Sequence, residues 1–368
     1  MSALPIKLFT PGPTPVPRQV MEAMSRPMIH HRSAEFSEIF GKVRRQLSDL
    51  MGVGTQGQSL LFTSSGSGAM EAAVCSLFDK GDHVVVVESG KFGQRWKKLA
   101  QHFSLTMDLV EVEWGKTVTL DQIENVLTPT TKGVLIQACE SSTGVFHPIY
   151  DLAKLIKSHS KALFVVDAIT ALGIHDLDQE RDLIDVLIGG SQKALMCPPG
   201  LATMGLRASA IEQIRPGVGF YFSLANELKN QKDNKTAFTP AVSLVRGLSA
   251  AMDIIEAEGK TQVFARHKHM QTLTRAHFRK VGLELFNLDQ DASLGITAVD
   301  AQERFDVKAW LTFLKKEYNM WLAGGQDHLE GKIFRFSHMG AVSVEQVEQA
   351  LQIITESLSA APFQVLGS

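Results

Sequence analysis

The chain has 368 residues, with 37 Lys+Arg against 39 Asp+Glu and a formal net charge of −2, which excludes a nucleic-acid binder working through a strongly basic face. Its composition, 44% hydrophobic and 21% charged, excludes a disordered chain, and no apolar run approaches the roughly 20 residues that span a bilayer. Cys75, Cys139 and Cys197 lie far apart with no CxxC pair, so neither a disulfide framework nor a cysteine zinc site is expected, and a reducing compartment suits them.

In chain order, the start MSALPIKLFTPGPTP is broken by Pro5, Pro11, Pro13 and Pro15 and lacks a secretory pattern. Continuous apolar runs follow at Val84 to Val87, Val134 to Ala138, Leu163 to Val166 and Leu183 to Ile188, as in strands buried on both faces. Between them Ala69 to Phe78, Trp96 to Phe103 and Leu152 to Ser158 have helical spacing, so the pattern is βαβ with a mostly parallel, doubly wound sheet. Glu227 to Asn234 is polar and reads as an exposed loop, and Val242 to Gly259 as a long helix leading away from it. A second α+β pattern comprises strands at Leu283 to Phe286, Ile296 to Val299 and Lys332 to Ser337, with helices at Val307 to Tyr318 and Val344 to Ser357. The final Leu366-Gly367-Ser368 is not an SKL-type peroxisomal ending. The expected layout is an N-terminal segment (1–20) near the site, a large α/β domain (21–250) and a smaller C-terminal α+β domain (251–368), in a soluble cytoplasmic protein without nucleic-acid or membrane partners.

Three features carry chemistry. Ser64-Ser65-Gly66-Ser67-Gly68-Ala69 opens a helix, either as a plain turn or as a phosphate cradle of exposed N–H groups. Asp167 ends the run Leu163 to Val166 and is a helix cap or a ligand group at the sheet edge. Lys193 lies 26 positions later, in Gly189-Gly190-Ser191-Gln192-Lys193-Ala194, after another strand. A lysine in small, apolar surroundings has a lowered basicity and forms Schiff bases, and a carboxylate opposite a lysine-bound pyridine keeps the ring nitrogen protonated. Gly115 to Thr117 mimics part of a phosphate loop, but Val110 stands where the first glycine belongs, and there is no GxGxxG. His267 and His269, in a charged helical stretch without further metal-type neighbours, are expected on a solvated face, and no metal site is expected.

The ordered set Phe9-Thr10-Pro11-Gly12-Pro13, His30-His31-Arg32, Ser65 to Ala72, Glu140-Ser141-Ser142-Thr143-Gly144, Asp167-Ala168, Gly190 to Lys193 and Lys332 to Gly340 resembles the class V, fold-type I pyridoxal-phosphate aminotransferases. Within them it is most similar to the alanine–glyoxylate and serine–glyoxylate (serine–pyruvate) enzymes. The resemblance implies pyridoxal 5'-phosphate bound through Lys193, Asp167 on its ring nitrogen, and Ser142 or Thr143 near its ring hydroxyl. It implies Ser67, Gly68, Gln192 and Ser191 around the phosphate and Phe92 stacked on the ring, where many relatives carry Trp or Tyr. Arg335 matches the substrate-carboxylate clamp, helped by Gly12 and Ser142; read alone, it is a surface charge or salt-bridge partner. Thr239, in Lys235 to Pro240, matches a segment that reaches the neighbouring subunit's phosphate, which implies a homodimer with shared sites; read alone, it caps the following helix. Small amino acids and 2-oxo acids are the implied substrates. Alternatives are 2-aminoethylphosphonate transamination, lyase chemistry, or a non-catalytic assembly subunit; a desulfurase cysteine is missing, since no cysteine follows Cys197.

Overall fold

The computed structural model describes residues 6–360 and Phe363, so the expectations placed on Pro5, on the rest of residues 1–5 and on Leu366-Gly367-Ser368 lie outside the described residues. The larger sheet holds β1 Gln58–Phe62, β2 His83–Glu88, β3 Thr106–Glu111, β4 Gly133–Gln137, β5 Leu163–Asp167, β6 Val186–Gly190 and β7 Ala202–Leu206. Their order is β1-β7-β6-β5-β4-β2-β3, and all neighbours are parallel except β7, which is antiparallel to β1 and β6. Every residue of β4 to β7 is buried. Each enclosed Val, Leu or Ile there contributes about 1.5–3 kcal/mol relative to exposure. The expected mostly parallel α/β sheet is present. The chain reverses its direction of travel across the sheet between β2 and β4, and the crevice beyond their carboxyl ends is where ligands bind in such folds.

Helix α1 Ala34–Met51 starts at Ser33, whose hydroxyl accepts the Phe36 N–H at 3.2 Å, and stops at Gly52 in the left-handed conformation. Its Phe36, Phe40, Val43, Leu47 and Leu50 recur every three or four positions and enter the main core. α2 Gly66–Leu77 follows β1, α3 Gly93–His102 follows β2, and α4 Ile149–His159 precedes β5. α5 Leu224–Gln231 corrects the expected loop at Glu227 to Asn234. The polar residues there serve the edge strand β1: the Gln231 amide accepts from Leu61 N at 3.0 Å, donates to Leu61 O at 2.9 Å, and donates to buried Glu227 at 2.8 Å. A helix that blocks a strand edge needs such groups, so its composition resembles a loop's. The run from Leu183 also shortens: Leu183 takes a φ of 56°, Asp185 turns inward to accept Phe164 N at 2.6 Å, and the strand begins at Val186.

A second, antiparallel sheet contains β8 Glu284–Leu285, β9 Ile296–Asp300, β10 Ala323–Gly324 and β11 Ile333–Ser337, in the order β8-β9-β11-β10. With it lie α6 Val242–Glu258 and α7 Lys260–Lys280, which lead into it, and α8 Val307–Tyr318 and α9 Val344–Ser359. The N-terminal segment joins this body. Lys7–Leu8 pair in parallel with Met320–Trp321, and the Phe9 ring stacks on Phe336 at 4.9 Å. Among the described residues no helix is long and apolar enough to cross a membrane.

His267 corrects the expectation of a solvated face. It is 1% exposed, with Nδ1 on Val263 O at 2.7 Å and Nε2 accepting Gly340 N at 3.2 Å, whereas His269 is exposed. Charged neighbours on α7 hid an inward-facing position. Burial pushes His147, His175 and His338 down to about 3 and His267 to about 4. Unfolded, each takes a proton near 6.5. Their contribution to stability is therefore complete above pH 6.5 and is lost as the pH falls through that value toward 4. Unfolding between pH 6.5 and 4.5 should take up protons, measured by calorimetry in buffers of different ionisation enthalpy; net proton release across that window would contradict it.

Candidate active site

Strands β5 and β6 pair with Asp167 opposite Ile188, so their carboxyl ends reach the same edge of the sheet, β6 two residues beyond β5. Asp167 is the last residue of β5 and 4% exposed, with Oδ1 accepting Ile169 N at 2.8 Å. Lys193 stands three residues beyond β6 in a loop closed by Ser191. The Ser191 hydroxyl donates to Pro198 O at 2.7 Å and accepts Leu201 N at 3.2 Å, and is fully buried. Ser191 therefore holds the loop that carries the lysine. From above, Thr14 bonds the Gln192 carbonyl through its N–H at 3.1 Å and the Lys193 carbonyl through its hydroxyl at 2.8 Å. Lys193 Nζ donates to Pro11 O. Gly12, at φ 128°, lies directly on the lysine, where a Cβ would stand 2.4 Å from Nζ; only glycine serves there.

Burial sets the chemistry of both groups. It pushes Lys193 down to about 8, with Asp167 and Cys139 opposing the shift and Arg335 and Arg95 adding to it. It pushes Asp167 up to about 6, against the Ile169 N–H and the Arg95 charge. A raised carboxylate binds its proton more tightly in the folded chain, so its stability contribution falls as the pH rises from the unfolded value near 3.9 through 6. A cationic ring nitrogen set against Asp167 offsets that cost.

Around this pair the remaining residues fall into place unevenly. α2 follows Ser65, which makes no side-chain cap, and Ser67 and Gly68 occupy its first turn. That turn lies beside the site: a Cβ on Gly66 would meet Ile169, and a Cβ on Gly190 would meet Ile169 and Gln192. Gln192 Oε1 is buried without a hydrogen-bond partner among the described residues. Phe92 precedes α3, with the Arg95 guanidinium 5.0 Å from its ring centre. The N–H groups of Phe92 and Gly93 both reach Glu140 Oε2, at 3.0 and 3.1 Å. The Ser142 N–H and hydroxyl reach Glu140 Oε1, at 3.1 and 2.6 Å. Arg335, on β11 and 7% exposed, donates to Ser141 O at 2.7 Å and to Gly324 O at 2.7 and 3.0 Å. Burial lowers it to about 10, with Glu140 opposing.

Two positions stand apart. The Thr143 hydroxyl bonds its own turn at Glu140 O (3.3 Å), and its carbonyl accepts Asn287 Nδ2 at 3.1 Å. Thr239 is exposed in a groove with Met28, His30, His31 and Leu244, a lining that includes neither Lys193 nor Asp167. Sequence reasoning gave no role to Glu140, although it lies in a quoted motif, nor to Arg95. A glutamate among the small residues that follow a buried strand was the available signal for the first.

The sheet, the lysine–aspartate edge and the uncapped helix define a fold-type I pyridoxal-phosphate enzyme. The chain matches the family "Aminotransferase class-V" over residues 6–349 and belongs to it. It is 36% identical to a Synechococcus protein named soluble hydrogenase, small subunit, over 96% of this chain and 92% of that one. It is 31% identical to the L-aspartate–glyoxylate aminotransferase of Paracoccus denitrificans, over 91% and 87% of the two chains. The solved aspartate aminotransferase of Thermus thermophilus superposes with a TM-score of 0.90 at 31% identity, covering 96% of this chain and 99% of that one.

The cofactor of this enzyme is pyridoxal phosphate, and the residues fit it. Lys193 would offer the aldehyde an amine of lowered basicity, Asp167 would offer the ring nitrogen a buried carboxylate, and the N–H groups at the start of α2 would offer donors to the phosphate. Because only the unprotonated amine reacts, covalent loading of the apo-protein should rise with pH through a midpoint near 8. Borohydride trapping followed by peptide mass spectrometry measures this; a midpoint near that of free lysine, about 10.4, would contradict the burial argument.

Proposed function

We propose that this aminotransferase moves an amino group from a small amino acid, alanine or serine, to glyoxylate or pyruvate in two alternating half-reactions. Pyridoxal phosphate, when bound, supplies the electrophilic carbon and an electron-withdrawing ring. Asp167 holds the ring nitrogen in its charged form. Arg335 grips the substrate α-carboxylate with a fork that lysine cannot copy. Lys193 would carry the substrate Cα proton to the cofactor's aldehyde-derived carbon in the first half-reaction and carry one back to Cα in the second, its basicity near neutral pH suiting both directions. Pro11 and Gly12 lie over Lys193 Nζ, excluding water and suiting a small side chain.

The observation that carries this reading is Arg335, an enclosed guanidinium held by two backbone carbonyls while its charge acts on Lys193. A second reading makes aspartate the donor. It is favoured by Arg95, half-buried beside Phe92 and in no contact ion pair among the described residues, and by the names of the Paracoccus and Thermus relatives. The name of the Synechococcus relative invites an assembly role, against which the presence of Lys193, Asp167 and Arg335 counts.

The reading includes a cytoplasmic homodimer in which Thr239 reaches the partner's phosphate, and the division at residues 20 and 250. Exposed Thr239 lies close to Phe238, against which Phe220, 81% exposed, and Tyr221 pack at ring distances of 5.5 and 5.0 Å, an apolar cluster suited to burial by a second copy.

Purified enzyme should be tested with alanine, serine and aspartate against glyoxylate and pyruvate. Alanine or serine should give the highest kcat/KM, Lys193→Ala should abolish transfer, and Arg335→Lys should lower kcat/KM by about 10²-fold with the cofactor still bound. Preference for aspartate would replace the first reading by the second, and transfer by Lys193→Ala would overturn both.

A further inference from the structure

Glu140 has no part in the reaction described above, yet it is fully buried and accepts four hydrogen bonds. Two come from the turn that begins α3 and carries Phe92. The other two come from Ser142, on the segment after β4. Four donors suit the ionised form of the side chain, which can only accept. Burial pushes its pKa up while the hydroxyl and N–H donors of Ser142, Gly93 and Phe92 pull it down. The chain also makes room for it: a Cβ on Gly90 would stand 2.4 Å from the carboxyl carbon and 2.5 Å from Ser142 Oγ.

The bonds fix more than position. The Ser142 hydroxyl gives its one proton to Glu140 at 2.6 Å and accepts Lys91 N at 3.2 Å. What remains is a lone pair, so Ser142 can offer a neighbouring group an acceptor but not a donor. Glu140 also adjoins the clamp, since Arg335 donates to the carbonyl of the intervening Ser141.

We propose that Glu140 is a positioning residue that ties the Phe92 turn to Ser142 and sets the Ser142 hydroxyl as an acceptor toward the bound cofactor. It rests on the pyridoxal-phosphate reading of this site. Glutamine in its place can satisfy the Phe92–Gly93 pair or the Ser142 pair, but not both. With its NH2 toward Ser142 it leaves that hydroxyl free to donate, and in either orientation it removes a buried negative charge. Both changes favour loss of a proton from the cofactor–lysine linkage.

The test is apo-protein titrated with pyridoxal phosphate, followed by the pH midpoint of the bound cofactor's absorption band, for wild type, Glu140→Gln, Ser142→Ala and the double variant. Glu140→Gln should bind the cofactor at least about 10-fold more weakly and lower the midpoint by about half a pH unit or more. In the Ser142→Ala background the same substitution should shift it distinctly less, which a merely structural role would not produce. Wild-type affinity and midpoint in Glu140→Gln would overturn the proposal, as would an equal shift in both backgrounds. Should Glu140→Gln fail to fold, Ser142→Ala alone decides: its midpoint must move, and an unchanged midpoint overturns the proposal. Failure of the wild type to bind pyridoxal phosphate would instead reject the reading of the site itself.

Discussion

The site depends on two neighbouring parallel strands whose carboxyl ends lie within two residues of each other in register. The register that sets Asp167 against Ile188 brings a carboxylate and, one short loop later, a lysine to one buried edge. Neither charge is comfortable there. Burial drives the acid up and the amine down, so both titrate near neutrality rather than at their solution values. Strands β4 to β7, buried throughout, supply the low-dielectric wall that produces both shifts. A ring that is positive at its nitrogen and electrophilic at its aldehyde is complementary to such a pair.

The rest of the chain serves to cover that edge. The N-terminal segment is anchored in the smaller body by the Lys7–Leu8 pairing and the Phe9–Phe336 stack, then crosses to the larger one, where Pro11, Gly12 and Thr14 meet Lys193 and its loop. Arg335 makes the opposite crossing, from β11 to the Ser141 carbonyl. The Lys91–Asp327 ion pair, at 2.9 Å and partly exposed, is a third link between the two bodies and contributes little by itself. The site is thus made by both sheets, and Arg335 comes from the smaller one.

Much of this was legible in the sequence, for definable reasons. Strands buried on both faces are continuous apolar runs, so β2, β4 and β5 stood out, and the residues that end or follow them, Asp167 and Lys193, marked the edge. The helix expected at Val307 to Tyr318 is present with those bounds. What was hidden depends on partners distant in the chain. α5 looks like a loop because its polar groups satisfy the edge of β1. His267 looks solvated because its neighbours on α7 are charged, while its own ring is enclosed by Val263 and Gly340. Ser191 looked like a phosphate ligand, but its hydroxyl is committed to Pro198 and Leu201. Glu140 showed its identity but not its four donors, which arrive from two separate segments.

The most direct measurement is a crystal structure of the protein with pyridoxal phosphate. The account predicts unbroken density from Lys193 Nζ to the cofactor's aldehyde carbon, with the ring nitrogen within hydrogen-bonding distance of Asp167. Cofactor density unattached to Lys193, or a ring nitrogen turned away from Asp167, would contradict it.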